Sequence, residues 1–135
     1  KPLKIKIKEV KDFTIYNGGP VSNENLYFIY KSNNPINGSL KIQDNFYWGG
    51  NINEIFKSIE EEIIIKSDIR FFIGYSGWDF NQLTNEIKNK NWIVGKNRME
   101  SILNINNKKH WKAEMKKLGG DYIIWSESPE NPISN

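Results

Sequence analysis

The residues best placed to do chemistry are those of the run Gly74-Tyr75-Ser76-Gly77-Trp78, which follows the apolar stretch Ile69–Ile73 and precedes a helix-like segment. Strand, glycine turn and helix is the layout of a serine hydrolase's nucleophile turn, G-x-S-x-G. Here the position that needs the second glycine holds the indole of Trp78. A serine nucleophile also needs a base oriented by a third group, and the sole histidine, His110, sits in a lysine-rich segment beside Trp111. The run therefore reads as a tight corner in which Ser76 is a small residue, and no catalytic residue is assigned.

The same turn offers unpaired backbone N–H groups at a helix start, a general anion site. Asp79 stands at that start, and its carboxylate is expected to occupy the position as a cap. Neither G-x-G-x-x-G nor a Walker-type lysine is present. Asn17-Gly18-Gly19-Pro20 is a second glycine-rich turn with the same ambiguity. The candidate ligand-binding residues are accordingly Gly18, Gly19, Pro20, Gly74, Tyr75, Ser76, Gly77, Trp78 and Gln82. Glu60-Glu61-Glu62 is a solvated helix face. One histidine and no cysteine exclude thiolate zinc sites, disulfides and any site with two imidazoles from this chain. No metal and no cofactor is expected.

Lysines gather twice, at Lys4, Lys6 and Lys8 near the start and at Lys108, Lys112 and Lys116 later. If the fold joined them, they would attract phosphate by counterion release. Arginine, the usual reader of guanine, occurs only at 70 and 98, so DNA binding through these lysines would be electrostatic. The net charge of +3 is modest, and abundant Lys, Asn and Ile together look like coding bias. The tryptophans offer stacking platforms, although most read as core.

The elements that must position these residues follow from periodicity. Residues 3–8, LKIKIK, alternate as a half-buried strand. A short strand runs through Ile15 and Tyr16, NLYFIYK (25–31) is an aromatic strand, and SLKIQDNFYWGG is a strand pair turning near Asp44-Asn45. Ile52, Ile55, Phe56, Ile59 and Ile63 recur at helical spacing after a cap at Asn51 or Asn53. IRFFIGY is a strand buried on both faces. DFNQLTNEIKNK is a helix with Leu83, Ile87 and Phe80 inward and Asn91 after its end. Trp92-Ile93-Val94 and DYIIW (121–125) are predicted as short strands. RMESILN and KKHWKAEMKKL are helices, the second with Trp111, Met115 and Leu118 inward and stopped by Gly119-Gly120. Without a regular βαβ rhythm, this is one α+β domain over 1–135. At 135 residues, rich in aromatics (five Trp, six Tyr, seven Phe), the chain can bury a core. It shows no membrane-length apolar run and no leader, so a cytoplasmic location is expected. Lys1 in place of Met marks it as processed, truncated or partly represented.

Taken together, NGGPV (17–21), LYFIYK (26–31), GYSGWDFNQLTNEIKNKNWIV (74–94), HWKAEMKKLGGDY (110–122) and the closing SPENP resemble the AlgH/YqgE family, in a Bacteroidetes-like branch. The resemblance implies a mixed, bifurcated sheet partly closed into a small barrel and flanked by helices. It implies a regulatory role in transcription and no enzymatic activity, cofactor or metal. It implies alanine as the common residue where Ser76 stands. It also implies a further N-terminal segment ending in a turn whose tail Lys1-Pro2 resembles; without it, strand edges would be open to homodimer formation. The expected function is a non-enzymatic cytoplasmic regulator or interaction module, whose partner is a protein or a second copy. A small-molecule or anion-binding domain using the glycine turns is the alternative, and direct DNA binding comes third.

Overall fold

The structure, a computed structural model, describes residues 10–96, 98–104 and 107–127. The chain divides into two compact units, Lys1–Asn85 and Glu86–Asn135.

All described strands lie in the first unit: β1 (Ile15–Asn17), β2 (Val21–Lys31), β3 (Leu40–Gln43), β4 (Phe46–Trp48) and β5 (Ile69–Tyr75). They form one mixed sheet in the order β1-β5-β2-β4-β3, with β1 parallel to β5 and the other pairs antiparallel. The α+β class is as expected, but the barrel closure is not. Among the described residues the two edges, three-residue β1 and four-residue β3, lie at opposite ends of an open sheet. The LKIKIK segment lies outside the described residues.

Alternation along β2 and β5 decides which face is covered. Phe28 pairs with Phe71 and Tyr30 with Ile69, which puts these four side chains on one face. Helix α1 (Ile52–Glu60) supplies Ile55 and Phe56 to this core, which Val10 and Ile64 complete. Burying each such side chain contributes about 1.5–3 kcal/mol. Asn51 caps α1, its Oδ1 accepting from the N–H groups of Asn53 and Glu54 at 3.0 and 3.2 Å. The helix stops at Glu60, short of Ile63. Ile63 N–H donates to Ser58 O and Glu62 N–H to Ile59 O, at 2.9 and 3.1 Å, with Glu62 at φ +56°. That is a Schellman stop with glutamate where glycine is usual. It leaves Ile63 exposed and buries Ile64 instead.

Tyr30 is fully buried and its hydroxyl is accounted for. Ile36 N–H donates to it at 2.9 Å, it reaches Ser39 Oγ at 2.5 Å, and Ser39 Oγ donates to Gly49 O at 2.9 Å. This chain of bonds ties the 32–39 loop to the end of β4.

Helix α2 (Gln82–Lys88) crosses the boundary between the units. It too ends in a Schellman stop: Asn91 N–H to Glu86 O at 2.9 Å and Lys90 N–H to Ile87 O at 3.0 Å. Lys90, not Asn91, takes the left-handed position, at φ +61°. Trp92–Val94 is not a strand; the Trp92 indole N–H donates to Glu86 Oε2 at 2.7 Å.

The second unit continues with α3 (Met99–Leu103), α4 (Asn107–Leu118) and α5 (Asp121–Ser126). The expected DYIIW strand is therefore a helix. Gly119 and Gly120, both at positive φ, turn the chain. Tyr122 and Ile123 then donate to Gly119 O and Gly120 O, each at 3.2 Å, and Asp121 stands in the first turn, where the helix dipole favours it. Among the described residues no strand of this unit exists for DYIIW to pair with, so local bonds override its β-branched composition.

Candidate functional site

β5 runs between β1 and β2, and the connection from β1 to β2 passes over its end. That connection is the Gly18-Gly19-Pro20 turn, so the structure brings the two glycine turns together. Gly18 N–H donates to Ile73 O at 2.8 Å. A Cβ on Gly18 would lie 2.2 Å from Gly74 O, one on Gly19 2.3 Å from the Tyr75 carbonyl, and one on Gly74 2.3 Å from Gly19 O. Backbone packs on backbone here, and no hollow separates Gly18, Gly19 and Gly74.

Ser76 belongs to this crossing. Its Oγ donates to Gly18 O at 3.4 Å, as a residue that closes a corner would. Gly77 is backed by the Tyr75 ring, which a Cβ would meet at 3.3 Å. Tyr75 continues into an aromatic row: edge-on to Tyr27, 5.4 Å between centroids, which stacks on Trp48 at 6.1 Å. Gln82 turns to its own helix. Its Oε1 accepts from Asp79 N–H at 2.9 Å, while Gln82 N–H donates to Asp79 O at 3.0 Å. The cap at this helix start is thus the Gln82 amide and not the Asp79 carboxylate, the reach-back half of a capping box. Two helix expectations fail nearby, since Phe80 is 95% exposed and Leu83 is exposed as well.

Of the nucleic-acid candidates, Lys4, Lys6 and Lys8 and the side chain of Lys108 lie outside the described residues. Lys112 and Lys116 are exposed on α4. Lys116 approaches Glu127 at 3.9 Å, and its neighbour Lys117 holds Glu114 at 2.8 Å. The first pair is solvent-exposed and worth little. Met115 is buried as expected, whereas Trp111 and Leu118 are not.

Sequence reasoning missed three features. One is a cavity of about 350 Å³ where β4 leaves β2, walled by Leu26, Phe28, Leu40, Trp48 and Ile52 and floored by the glycines at 38, 49 and 50. Another is a clasp: Glu54 accepts from Asn37 N–H at 3.0 Å and from its Nδ2 at 2.8 Å. The backbone bond first and the side-chain bond second hold the Glu54 carboxyl below its ordinary range. The third is a pair of cavities in the second unit, of about 480 and 510 Å³, that share Lys90, Leu118 and Trp125. Only the last had a signal, the tryptophan spacing itself. Among the described residues no group of three His, Asp or Glu side chains could hold a metal ion. No described helix is long and apolar enough to cross a membrane.

Comparison with known proteins places these features in a wider set. Residues 1–123 match the family described as AlgH-like, DUF179. A UPF0301 protein of Bacteroides fragilis is 36% identical over 130 residues, covering 96% of this chain and 66% of that protein. One of Parabacteroides distasonis is 38% identical over 128 residues, covering 94% and 65%. The chain thus spans just under two thirds of the length of these relatives. The solution structure of the AlgH protein from Pseudomonas aeruginosa matches with a TM-score of 0.68 at 18% identity, over 91% of this chain and 64% of that one. That likeness is one of fold.

Proposed function

This chain belongs to the AlgH-like family, and from that premise we propose that it is a non-enzymatic cytoplasmic interaction module that takes part in transcriptional regulation by binding a protein partner. One observation carries the reading. A corner locked by backbone packing is followed at once by apolar side chains left partly uncovered, Trp78 and Leu83 at 37% exposed each, and by Phe80, almost fully exposed. A recognition loop gains from a rigid base, because less freedom is lost when the partner docks. The bond from Ser76 to Gly18 O supports a structural part for the serine.

A photo-crosslinking residue placed at Phe80, in cells that express the chain, tests this. Position 80 is expected to capture a discrete protein that a probe at Leu40, also exposed in the same unit, does not. Ser76→Ala leaves capture unchanged, and Phe80→Asp in an unlabelled competitor removes its ability to compete. Identical adducts from positions 80 and 40 would sink the proposal.

A further inference from the structure

β2 is eleven residues long, but its two neighbours cover it unequally. β5 pairs with it at Val21 and from Leu26 to Tyr30, whereas β4 pairs only with Ile29, Tyr30 and Lys31. Gly49 makes the last bond on that side, its N–H donating to Phe28 O at 2.9 Å. Alternate residues of a strand turn their main-chain groups the same way, so the N–H and C=O of Leu26 point as Phe28 O does, along the line of β4. Among the described residues no strand pairs with Leu26 there. The cavity of about 350 Å³ lies at this place. Its walls come from both faces of the sheet: Leu26, Phe28 and Ile52 on the side of α1, Tyr27, Leu40 and Trp48 on the other. No lining side chain is charged. Further along β2, Glu24 is exposed and takes part in none of the ion pairs among the described residues.

The free main-chain groups decide what kind of molecule fits. A small apolar compound would fill the cavity and leave the Leu26 N–H and C=O unanswered. A nucleic acid would bring no apolar side chain and would be repelled by Glu24. An extended main chain satisfies a strand edge, and adding one is a recurring mode of peptide recognition. The outer edge of β3 is less apt, because a bulge between Lys41 and Gln43 breaks it, and bulges discourage further pairing. We propose that β2 takes an extended peptide segment of another protein as an added strand in line with β4. Neighbouring apolar side chains of that segment enter the cavity from the two faces, and a nearby lysine or arginine meets Glu24. Hydrogen bonds to the main chain give the affinity, and the uncharged cavity gives the selectivity. No residue of the Phe80 stretch lines this cavity, so the proposal goes beyond the function proposed above and does not depend on it.

The probe is a display library of random linear peptides panned against the full chain, with the enriched sequences then synthesised and titrated by fluorescence anisotropy. They are expected to share neighbouring apolar residues with a basic residue close by. Single N-methyl groups are next walked along the peptide backbone. One amide is expected to lose at least about tenfold in affinity when methylated while the next along is tolerated, the alternation of an added strand. Leu40→Asp puts a carboxylate on the cavity wall at a side chain that is 60% exposed, so folding is spared and affinity falls about tenfold. Glu24→Lys lowers affinity about threefold. Ile63→Asp, at another exposed position of the same unit, leaves binding unchanged. Failure to enrich any peptide, tolerance of N-methylation throughout, or binding indifferent to Leu40→Asp would each overturn the proposal. So would self-association of the chain that Leu40→Asp abolishes, read by analytical ultracentrifugation, because the occupant would then be a second copy.

Discussion

Three alanine substitutions separate what the glycine crossing does. Gly49 has φ +67° and open space where a methyl group would stand, so Gly49→Ala costs only the left-handed conformation, about 1–2 kcal/mol. Gly18 lies outside the left-handed region, but its Cβ would meet Gly74 O at 2.2 Å, so Gly18→Ala costs only the clash. Overpacking of that kind costs about 1–3 kcal/mol, more where the neighbour is backbone that cannot rotate away. Gly74 combines both, at φ +70° with Gly19 O 2.3 Å from its Cβ, so Gly74→Ala is expected to lose about 2–5 kcal/mol. Against a domain stability of about 5–15 kcal/mol, that is a large fraction. Urea unfolding followed by circular dichroism ranks the three, with Gly74→Ala the worst and near the sum of the other two. A Gly74→Ala midpoint no lower than that of Gly49→Ala would refute the crossing as a close backbone contact.

Two further outcomes follow from local geometry. Glu54, held below its ordinary range by the Asn37 clasp, stabilises the fold above the unfolded-state value near 4.5, and that contribution fades as pH falls through the lower folded-state value. Thermal melts of wild type and Glu54→Gln should therefore differ at neutral pH and converge in acid; a constant offset would exclude the clasp as the cause. Glu62→Gly relieves a left-handed glutamate at the α1 stop and is expected to stabilise by about 1 kcal/mol, raising Tm by a few degrees; an unchanged or lower Tm would show that the strain is absent.

What is legible in the sequence is what local rules control. Strand-favouring composition between turn residues locates β1, β2 and the β3–β4 pair, a continuous apolar run locates β5 and a period of 3.6 locates α1, and the Asn51 cap is readable because a cap is a contact within one turn. The convergence of the glycine turns is not, since it depends on β5 lying between β1 and β2, on pairings as distant in sequence as Ile15 with Phe71 and Tyr30 with Ile69. DYIIW misleads because β-branched residues favour strands only where a neighbouring strand exists. Phe80 and Leu83 mislead because helical spacing reports a shared face and not whether that face is covered. Within the candidate site, Ser76 is legible as a corner from the misplaced indole of Trp78 and from the want of an oriented base, while the Gln82 cap and the Glu54 clasp depend on rotamers that no periodicity records.

The arch over β5 has a kinetic consequence. β1 and β2 are consecutive in the chain but do not pair with each other; both flank β5, which begins only at Ile69, long after β1 ends at Asn17 and β2 at Lys31. While the chain is being synthesised, β2, β3 and β4 can zip together as an antiparallel set, with β1 held only by its short turn. Closing a loop of this length is slow and is repaid only when the distant contacts form. For β5 to take its place between β1 and β2, Gly74 must pass close beneath the Gly19 carbonyl, and any side chain there would obstruct it.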